Sequence, residues 1–475
     1  MHCKLRLLAT LTLLFAVGNG RANGQDLDAA TKRAVETEIH RIMQETGVPS
    51  VQVGIARGGE VVYAEAFGDA RVAHQGESAL PATREMHYAV GSITKQFTAT
   101  CILLLQERGK LKLDDPVAKW FPELTRSGDI TLRMLLTHTS GYTDFSPQDY
   151  IIPEWTKPVK PIDIVHLWAE KPLDFEPGTK WQYSNTNYVI AGLILEKASG
   201  QSYREFLQEN VLTPLHLRDV LDLNYDRSEM EPTGYRRNAL GPLRPSLAEA
   251  PGWFFADGEL AMPVHTLLLW DISLLNKALL KPESYAELFK EQRLKNGGPT
   301  GYGLGLQTGR RGGYLLYGHA GEIGGFVAMN MCIPDEHVAI AVLANLDASH
   351  AAGAITQALL PIVVPSPPKQ ATQTSPSATT EKAHAILVGL QKGQIDRSQF
   401  TTNANFYFSQ QALDDFRESL APLGEIANFT EDDSVMRGGM QMRVYTAKYA
   451  LRSVSILTYW MPDAKIEQFL VEGKD

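Results

Sequence analysis

Residues 50–68, SVQVGIARGGEVVYAEAFG, hold two apolar runs that are separated by Arg-Gly-Gly at 57–59. Each run has the length of a β-strand and the glycines favour a tight turn, so this segment predicts a β-hairpin. Strand-like runs return far along the chain, at 314–317, 325–333 and 338–345. The residues between the two groups are mostly helical in pattern. We therefore predict an α/β fold in which one sheet is built from both ends of the domain, with a helical region inserted into it.

The composition changes abruptly between Pro365 and Thr380, where prolines mix with Ser, Thr and Gln and large apolar residues are missing. Such a segment cannot bury a core, so residues 364–381 are predicted to be an extended linker. The linker follows a main domain over residues 25–363. Beyond it, residues 382–475 recover helical patterns and then strand-like runs, which predicts a small separate α+β domain of unknown role.

The N-terminal residues 1–24 have the pattern of a secretory signal peptide. Basic residues precede an apolar stretch of eleven residues, 7–17, and small residues follow it. Eleven residues are too few to cross a bilayer, and Cys3 precedes the stretch, whereas a lipoprotein cysteine would follow it. We expect a mature protein without an integral membrane segment, in the periplasm or secreted. Its first helix is predicted from Ala29 to Thr46 by apolar residues at helical spacing.

The overall composition and charge limit the classes of protein to which the chain can belong. The 475 residues are 44% hydrophobic and 21% charged with a net charge of −9, and no Lys/Arg-rich run occurs. A globular protein is expected, and nucleic acid is not an expected partner. After removal of the signal peptide only Cys101 and Cys332 remain. A disulfide between them is possible, but we favour two buried thiols, because a large core needs no covalent link.

Ser92 and Lys95 form the first candidate constellation. Apolar residues from Ser92 to Arg108 fall on one helical face, so a serine opens a helix and a lysine lies one turn later on the same face. Burial beside other positive charge would lower the pKa of such a lysine and let it take the hydroxyl proton. The motif alone is a weak signal, because residues 366–369 match it inside the predicted linker. The alternative is that Ser92 and Lys95 are surface residues without a catalytic role.

Two further short motifs follow in the chain. Tyr183-Ser184-Asn185 offers a phenol that could shuttle a proton and an amide that could both donate to and accept from a substrate amide. The alternative is a core tyrosine with an asparagine in a turn. His319-Ala320-Gly321 lies on or beside a predicted strand, where Gly321 would let a substrate approach the backbone closely.

Taken in order, Ser92-x-x-Lys95, Tyr183-x-Asn185 and His319-x-Gly321 resemble the serine β-lactamase and penicillin-binding-protein superfamily. The pattern is most similar to the branch with class C β-lactamases, D-aminopeptidases, D-Ala-D-Ala carboxypeptidases and related esterases. The run ITLRMLLTHTSG at 130–141 and the segment 175–187 support the resemblance, which covers roughly residues 30–360. It implies an antiparallel β-lactamase-like sheet and a serine hydrolase without cofactor or metal.

The resemblance also implies roles for individual residues. Ser92 would be the acylated nucleophile, and Lys95 and Tyr183 would share the general-base role and later protonate the leaving group. Asn185 would orient the substrate amide or carbonyl. The backbone N–H groups of Ser92 and Glu322 would form the oxyanion hole.

Some residues of this sequence differ from the family pattern, and these differences change the substrate that we expect. His319 stands where class C β-lactamases carry a lysine, which removes a permanent positive charge and makes efficient β-lactam hydrolysis less expected. Glu259 replaces the second residue of a common Gly-Gly pair. We hypothesise that Glu322 contacts a cationic group such as a free amino terminus; a solvated rim carboxylate is the alternative.

The sequence therefore predicts an exported serine hydrolase of the peptidase, carboxypeptidase or esterase type, acting on a small-molecule or peptide substrate. A true β-lactamase and a catalytically silent relative that binds cell-wall peptides are the alternatives. The acyl and leaving groups and the oligomeric state stay open.

Overall fold

The computed structural model describes residues 26–74, 76, 78–311, 314–364, 378–437 and 440–474. The predicted signal peptide at 1–24 and most of the predicted linker lie outside these residues, so both stay predictions. Within the described ranges, no helix combines the length and the apolar composition needed to cross a bilayer.

The described residues form sixteen strands and twelve α-helices. The strands are β1 (Ser50–Arg57), β2 (Glu60–Arg71), β3 (Leu80–Pro81), β4 (Tyr88–Ala89), β5 (Leu221–Asp222), β6 (Tyr235–Arg236), β7 (Arg244–Pro245), β8 (Leu260–Met262), β9 (Gln307–Arg311), β10 (Tyr314–Ile323), β11 (Phe326–Ile333), β12 (Val338–Ala344), β13 (Asn428–Arg437), β14 (Met440–Lys448), β15 (Ser453–Trp460) and β16 (Ile466–Lys474). The helices are α1 (Ala29–Thr46), α2 (Thr94–Glu107), α3 (Leu132–Leu136), α4 (Pro161–Ala169), α5 (Asn185–Ser199), α6 (Tyr203–Leu207), α7 (Val264–Asn276), α8 (Pro282–Phe289), α9 (Ala351–Val363), α10 (Ala378–Leu390), α11 (Thr402–Tyr407) and α12 (Gln410–Leu420).

One seven-stranded sheet organises the main domain, in the order β3-β2-β1-β12-β11-β10-β9. The pairings of β1 with β2 and with β12, and of β10 with β11, are antiparallel. Strands from the two ends of the domain thus lie side by side, and α2 to α8 occur between them in the chain. The prediction of one antiparallel sheet built from both ends, with an inserted helical region, is confirmed.

Strand β12 shows why the sheet needs a layer on each face. Its alternate residues Val338, Ile340 and Val342 pack with the side chains of α1 and α9. The intervening Ala339, Ala341 and Leu343 pack with the inserted helices. All six are essentially inaccessible to solvent, and each large side chain so buried contributes about 1.5–3 kcal/mol.

Helix α1 has the predicted bounds, and local signals account for both ends. Asp28 Oδ1 accepts hydrogen bonds from the backbone N–H groups of Ala30 and Thr31 at 2.9 and 3.0 Å, which satisfies donors that the first turn leaves open. Gly47 ends the helix with a φ of 64°, in the left-handed region that glycine tolerates.

A separate C-terminal α+β unit contains α10 to α12 and a four-stranded sheet in the order β13-β14-β15-β16. The expected helices and the last three strands are present, but β13 was not predicted. This strand, NFTEDDSVMR, carries consecutive acidic residues and lies at the sheet edge. An edge strand needs no clear apolar alternation, so the sequence pattern gave no strand signal there.

Cys101 and Cys332 are both free and buried, which confirms the prediction of two thiols without a disulfide. Burial raises the pKa of the Cys101 thiol. Both side chains therefore act as small apolar core residues.

Candidate active site

Ser92 lies in a 3-10 turn, Gly91–Ile93, which leads directly into α2. Gly91 has a φ of 49°, and a Cβ on it would lie 2.5 Å from the backbone nitrogen of Glu322 on β10. Gly91 therefore lets the turn pack against β10. The predicted helix start is correct to within this turn, and Ser92 lines a cleft.

Lys95 follows one turn later and is fully buried. Its Nζ donates hydrogen bonds to Ser92 Oγ at 2.9 Å, to Asn185 Oδ1 at 2.8 Å and to the Asp257 carbonyl oxygen at 2.8 Å. Three acceptors match the three N–H donors of an ammonium group. The sequence argument required burial beside positive charge to lower the pKa of Lys95; Lys95 is buried, but the titratable group beside it is an acid, Asp257.

Asp257 was not predicted as a site residue. One of its carboxylate oxygens lies 4.0 Å from Lys95 Nζ, and both residues are buried. Burial raises the pKa of Asp257 to about 8; the Lys95 charge opposes this and the nearby Asp144 adds to it. Glu259, the departure noted in the sequence, is buried and accepts a hydrogen bond from the Ala256 backbone, so it shapes the turn that carries Asp257.

Asn185 is the first residue of α5. Its Nδ2 donates to Asp144 Oδ1 and to the Ser146 carbonyl oxygen, each at 3.1 Å, and its Oδ1 accepts from Lys95. Its backbone N–H also donates to Asp144 Oδ1, at 2.9 Å. Asn185 therefore connects Lys95 to the segment after Gly141, and its direct contact with substrate stays a prediction.

Tyr183 lines the same cleft, with its ring centroid 5.0 Å from Lys95 Nζ. His138 packs against it, with ring centroids 4.3 Å apart. His138 Nδ1 accepts a hydrogen bond from the Ser184 backbone N–H at 3.2 Å, and its carbonyl oxygen accepts one from Gln182 N–H at 3.0 Å. His138 thus holds the backbone on both sides of Tyr183; the sequence run 130–141 contained it without indicating that role.

His319 lies on β10 and is buried. The Tyr302 hydroxyl donates to its Nε2 at 2.7 Å, and its Nδ1 donates to the Ala320 carbonyl oxygen at 2.5 Å. These partners fit a neutral imidazole with its proton on Nδ1. Burial, reinforced by the Lys95 charge, lowers the pKa of His319 to about 3. His319 is therefore uncharged at neutral pH.

Gly321 and Glu322 follow His319 on β10. A Cβ on Gly321 would lie 1.8 Å from the Val90 carbonyl oxygen, so the group that approaches this glycine closely is the turn bearing Ser92; close approach of substrate stays a prediction. The Glu322 backbone lies against Gly91, the residue before Ser92, and a Cβ on Gly321 would lie 3.3 Å from the Ser92 backbone nitrogen. The Glu322 side chain is half-buried, and its Oε1 accepts from the Ala348 backbone N–H at 2.6 Å.

One cleft of about 610 Å³ brings these residues together. Six of the seven predicted site residues line it, namely Ser92, Tyr183, Asn185, His319, Gly321 and Glu322. Lys95 lies beneath them, in contact with Ser92. In the described ranges, no group of three or more His, Cys, Asp and Glu side chains is arranged to hold a metal ion.

A family model described as Beta-lactamase matches residues 35–361. The chain is 30% identical to a D-stereospecific amidohydrolase from Streptomyces sp., with a TM-score of 0.58, and the match covers 70% of this chain and 97% of that one.

Two more relatives differ in how much of the chain they match. Penicillin-binding protein 4* of Bacillus subtilis (strain 168) is 29% identical over 308 residues, which are 61% of this chain and 66% of that protein. The chain thus spans slightly less than two thirds of that relative. An octameric penicillin-binding protein homologue from Pyrococcus abyssi has a TM-score of 0.64 at 23% identity and covers 94% of this chain and 97% of its own; at that identity the likeness concerns the fold.

Proposed function

The chain belongs to the Beta-lactamase family of serine hydrolases, and from this premise we propose that it cleaves an amide or ester bond in two steps through an acyl-enzyme on Ser92. The observation that carries the proposal is the 2.9 Å hydrogen bond between Lys95 Nζ and Ser92 Oγ. Lys95 is fully buried while Ser92 lines the cleft. A buried cation held against an accessible hydroxyl is an arrangement suited to nucleophile activation.

Acylation begins when Ser92 Oγ attacks the substrate carbonyl carbon. Because the Lys95 ammonium donates to Oγ, the hydroxyl proton points away from it, and we assign Tyr183 as its acceptor. The Lys95 charge, 5.0 Å from the Tyr183 ring centroid, stabilises the phenolate that accepts this proton. Tyr183 then returns the proton to the leaving nitrogen or oxygen as its bond to the carbonyl carbon breaks. In the second step water attacks the acyl carbonyl carbon and gives a proton to Tyr183, which passes it to Ser92 Oγ as the ester bond breaks and the acid product leaves.

The developing oxyanion is assigned to the backbone N–H groups of Ser92 and Glu322. The close packing of Gly91 against the Glu322 backbone supports this assignment, because it brings the turn that carries Ser92 against β10. Fixed backbone donors stabilise such a charge without reorganisation during the reaction.

The neutral His319 guides the choice of substrate. With a pKa lowered to about 3, it supplies no positive charge for a substrate carboxylate. We therefore favour an amide or ester of an amino acid or short peptide, in line with the amidohydrolase relative, over a β-lactam.

Glu322 is our candidate for contact with a cationic group such as a free amino terminus. Its Oε1 is held by the Ala348 N–H, which fixes the carboxylate at the cleft wall. Glu322→Gln should lower kcat/KM on substrates with a free amino terminus and leave N-acylated substrates unchanged. Equal rates for both classes in the variant and the parent would exclude this role.

The first test is reaction of the mature protein with a fluorophosphonate, followed by intact-mass measurement. We expect one adduct on the parent protein and none on Ser92→Ala. Ser349→Ala is the matched control, because Ser349 also lines the cleft, and it should keep the adduct.

A panel of D-aminoacyl amides, short esters and a chromogenic β-lactam then separates the alternatives. Faster turnover of the β-lactam than of any amide or ester would favour a true β-lactamase. Absence of an adduct on folded parent protein would favour a catalytically silent relative that binds peptides in the cleft.

We also propose that residues 1–24 direct export and that 25–363, 364–381 and 382–475 are catalytic domain, linker and C-terminal domain. N-terminal sequencing of protein recovered from periplasm and medium tests export. Protease cleavage confined to 364–381 in the folded protein tests the boundaries.

A further inference from the structure

The C-terminal sheet contacts the loop of residues 144–151, here called the 144–151 loop, which forms one rim of the cleft. Gln468 and Asp149 form a reciprocal pair: Asp149 N–H donates to Gln468 Oε1 at 2.7 Å, and Gln468 Nε2 donates to Asp149 Oδ2 at 2.8 Å. The Tyr459 hydroxyl donates to the same carboxylate oxygen at 3.1 Å. Tyr150 adds a hydrogen bond from its hydroxyl to the Glu467 carbonyl oxygen at 2.8 Å.

The same sheet holds the opposite rim. Glu472 accepts hydrogen bonds from the Ser349 hydroxyl at 2.5 Å and from the His350 backbone N–H at 2.8 Å. Ser349 and His350 line the cleft just before α9. Gln468 and Glu472 are four residues apart on β16 and face the same way, so this strand bridges the rims over about 14 Å.

Met442 extends this contact into the cleft itself. In the register of the sheet, Met442 is paired with Tyr459, and Tyr459 with Gln468. Directly paired residues of antiparallel strands present their side chains on one face, so the three form a row across β14, β15 and β16. Met442 lines the cleft together with Ser92 and Asp149.

The 144–151 loop is in turn connected to the nucleophile. Asp144 and the Ser146 carbonyl oxygen accept hydrogen bonds from Asn185, whose Oδ1 accepts one from Lys95. A displacement of the loop would therefore move the acceptor that holds Lys95 against Ser92.

We propose that the C-terminal domain is part of the active site: Gln468 and Tyr459 position the 144–151 loop and through it the Asn185–Lys95–Ser92 chain, while Met442 forms a wall that limits the size of the substrate. This inference rests on the proposed function. It gives the domain a positioning and specificity role and assigns it no residue that reacts.

The test compares Tyr459→Phe/Gln468→Met, which removes the bonds to Asp149, with Asp415→Asn. Asp415 is the matched control, because it joins the domains through Arg244, at 2.5 and 2.8 Å, but does not line the cleft. We expect the double variant to increase hydrogen exchange in residues 144–151 and to lower kcat/KM about ten- to hundredfold, the scale of small misplacements of catalytic groups. Asp415→Asn should change neither.

Met442→Ala should raise kcat/KM for substrates with bulky groups relative to kcat/KM for small ones, because Met442 lines the cleft, and the ratio of the two values is the measurement. Unchanged exchange and kcat/KM in the double variant, or an equal loss in Asp415→Asn, would overturn the positioning role. A parent protein that reacts with fluorophosphonate, combined with an unaffected double variant, overturns this inference alone. A parent protein that does not react overturns the proposed function and this inference with it.

Discussion

Lys95 and His319 both lie near the Tyr183 ring, and the surroundings of these two basic side chains are opposite in kind. Lys95 is held by three oxygen acceptors, which match the three N–H donors of an ammonium group. His319 is held between the Tyr302 hydroxyl and the Ala320 carbonyl oxygen, and its pKa is lowered to about 3. Burial alone does not decide the charge of a basic group, because both are buried. Three acceptors offset the burial of Lys95, whereas burial together with the Lys95 charge keeps His319 neutral, so positive charge is confined to the nucleophile side of Tyr183.

The largest effect should come from removing the charge on the Lys95 side. Lys95→Met should lower kcat/KM by about 10²–10⁴-fold, since general acid–base catalysis contributes on that scale. It should also lower the melting temperature, because Ser92 Oγ, Asn185 Oδ1 and the Asp257 carbonyl oxygen lose their buried donor. Retention of parental kcat/KM in Lys95→Met would contradict the assigned role.

The single variant Asp257→Asn tests the buried acid that lies beside Lys95. The folded pKa of Asp257 is raised from 3.8 to about 8. The neutral carboxyl therefore stabilises the fold fully below pH 3.8, and this contribution is lost as the pH rises through 8. Unfolding measured between pH 4 and 9 should show a shallower loss of stability in the variant.

Asp271→Asn is the matched control for this variant. Burial also raises the pKa of Asp271 to about 8, but its partner is Asn330 and it does not line the cleft. Both variants should flatten the stability curve, whereas only Asp257→Asn should change kcat/KM, by about tenfold above pH 8, where the ionised Asp257 carboxylate interacts with Lys95. Equal activity effects would show that Asp257 acts through stability alone.

The variant His319→Lys introduces a second positive charge into the cleft, at the position where the parent protein has a neutral imidazole. Substrates with a carboxylate should gain about tenfold in kcat/KM relative to their amides, since one favourable charge contact is worth about 1.4 kcal/mol. The ratio of the two rates is the measurement, which cancels any general loss of activity. His319→Gln is the neutral control, and a ratio that rises equally in this variant would contradict an effect of charge.

The smallest effect should follow from Tyr302→Phe. The variant removes the donor to His319 Nε2, so the pKa of His319 should rise from about 3. The free energy of unfolding should fall by about 1 kcal/mol, because one buried hydrogen bond is lost. Imidazole titration by NMR and denaturant unfolding measure the two changes. Because burial and the Lys95 charge remain, His319 should still be neutral at pH 7, and a charged imidazole there would mean that Tyr302 alone suppresses protonation.

Much of the fold could be predicted from the sequence, because local patterns specify it. Helix α1 and the strands of the hairpin at 50–68 begin where capping, apolar spacing and glycines indicate. The edge strands β9 and β13 escaped prediction, since their residues QTGRR and NFTEDDSVMR give no apolar alternation. An edge strand is stabilised by pairing with its neighbour more than by its own side chains.

The residues of the candidate site also fall into those that the sequence predicted and those that it missed. Ser92, Lys95, Tyr183 and His319 were identified from short motifs in a fixed order, because each motif places its residues within one turn or strand. Asp257, Asp144 and Tyr302 were missed, although each lies against a motif residue. They belong to loops far away in the chain, and no local spacing relates Asp257 to Lys95 across 162 positions.

By itself, then, the sequence determined the elements, the family pattern and the candidate nucleophile, since these depend on neighbours within a few residues. Only the tertiary structure decided that Lys95 faces a buried acid, that His319 is neutral, and that the C-terminal sheet bridges both rims of the cleft. The physical reason is that charge state and loop position depend on desolvation and on hydrogen-bond partners. Those partners are chosen when distant segments pack together.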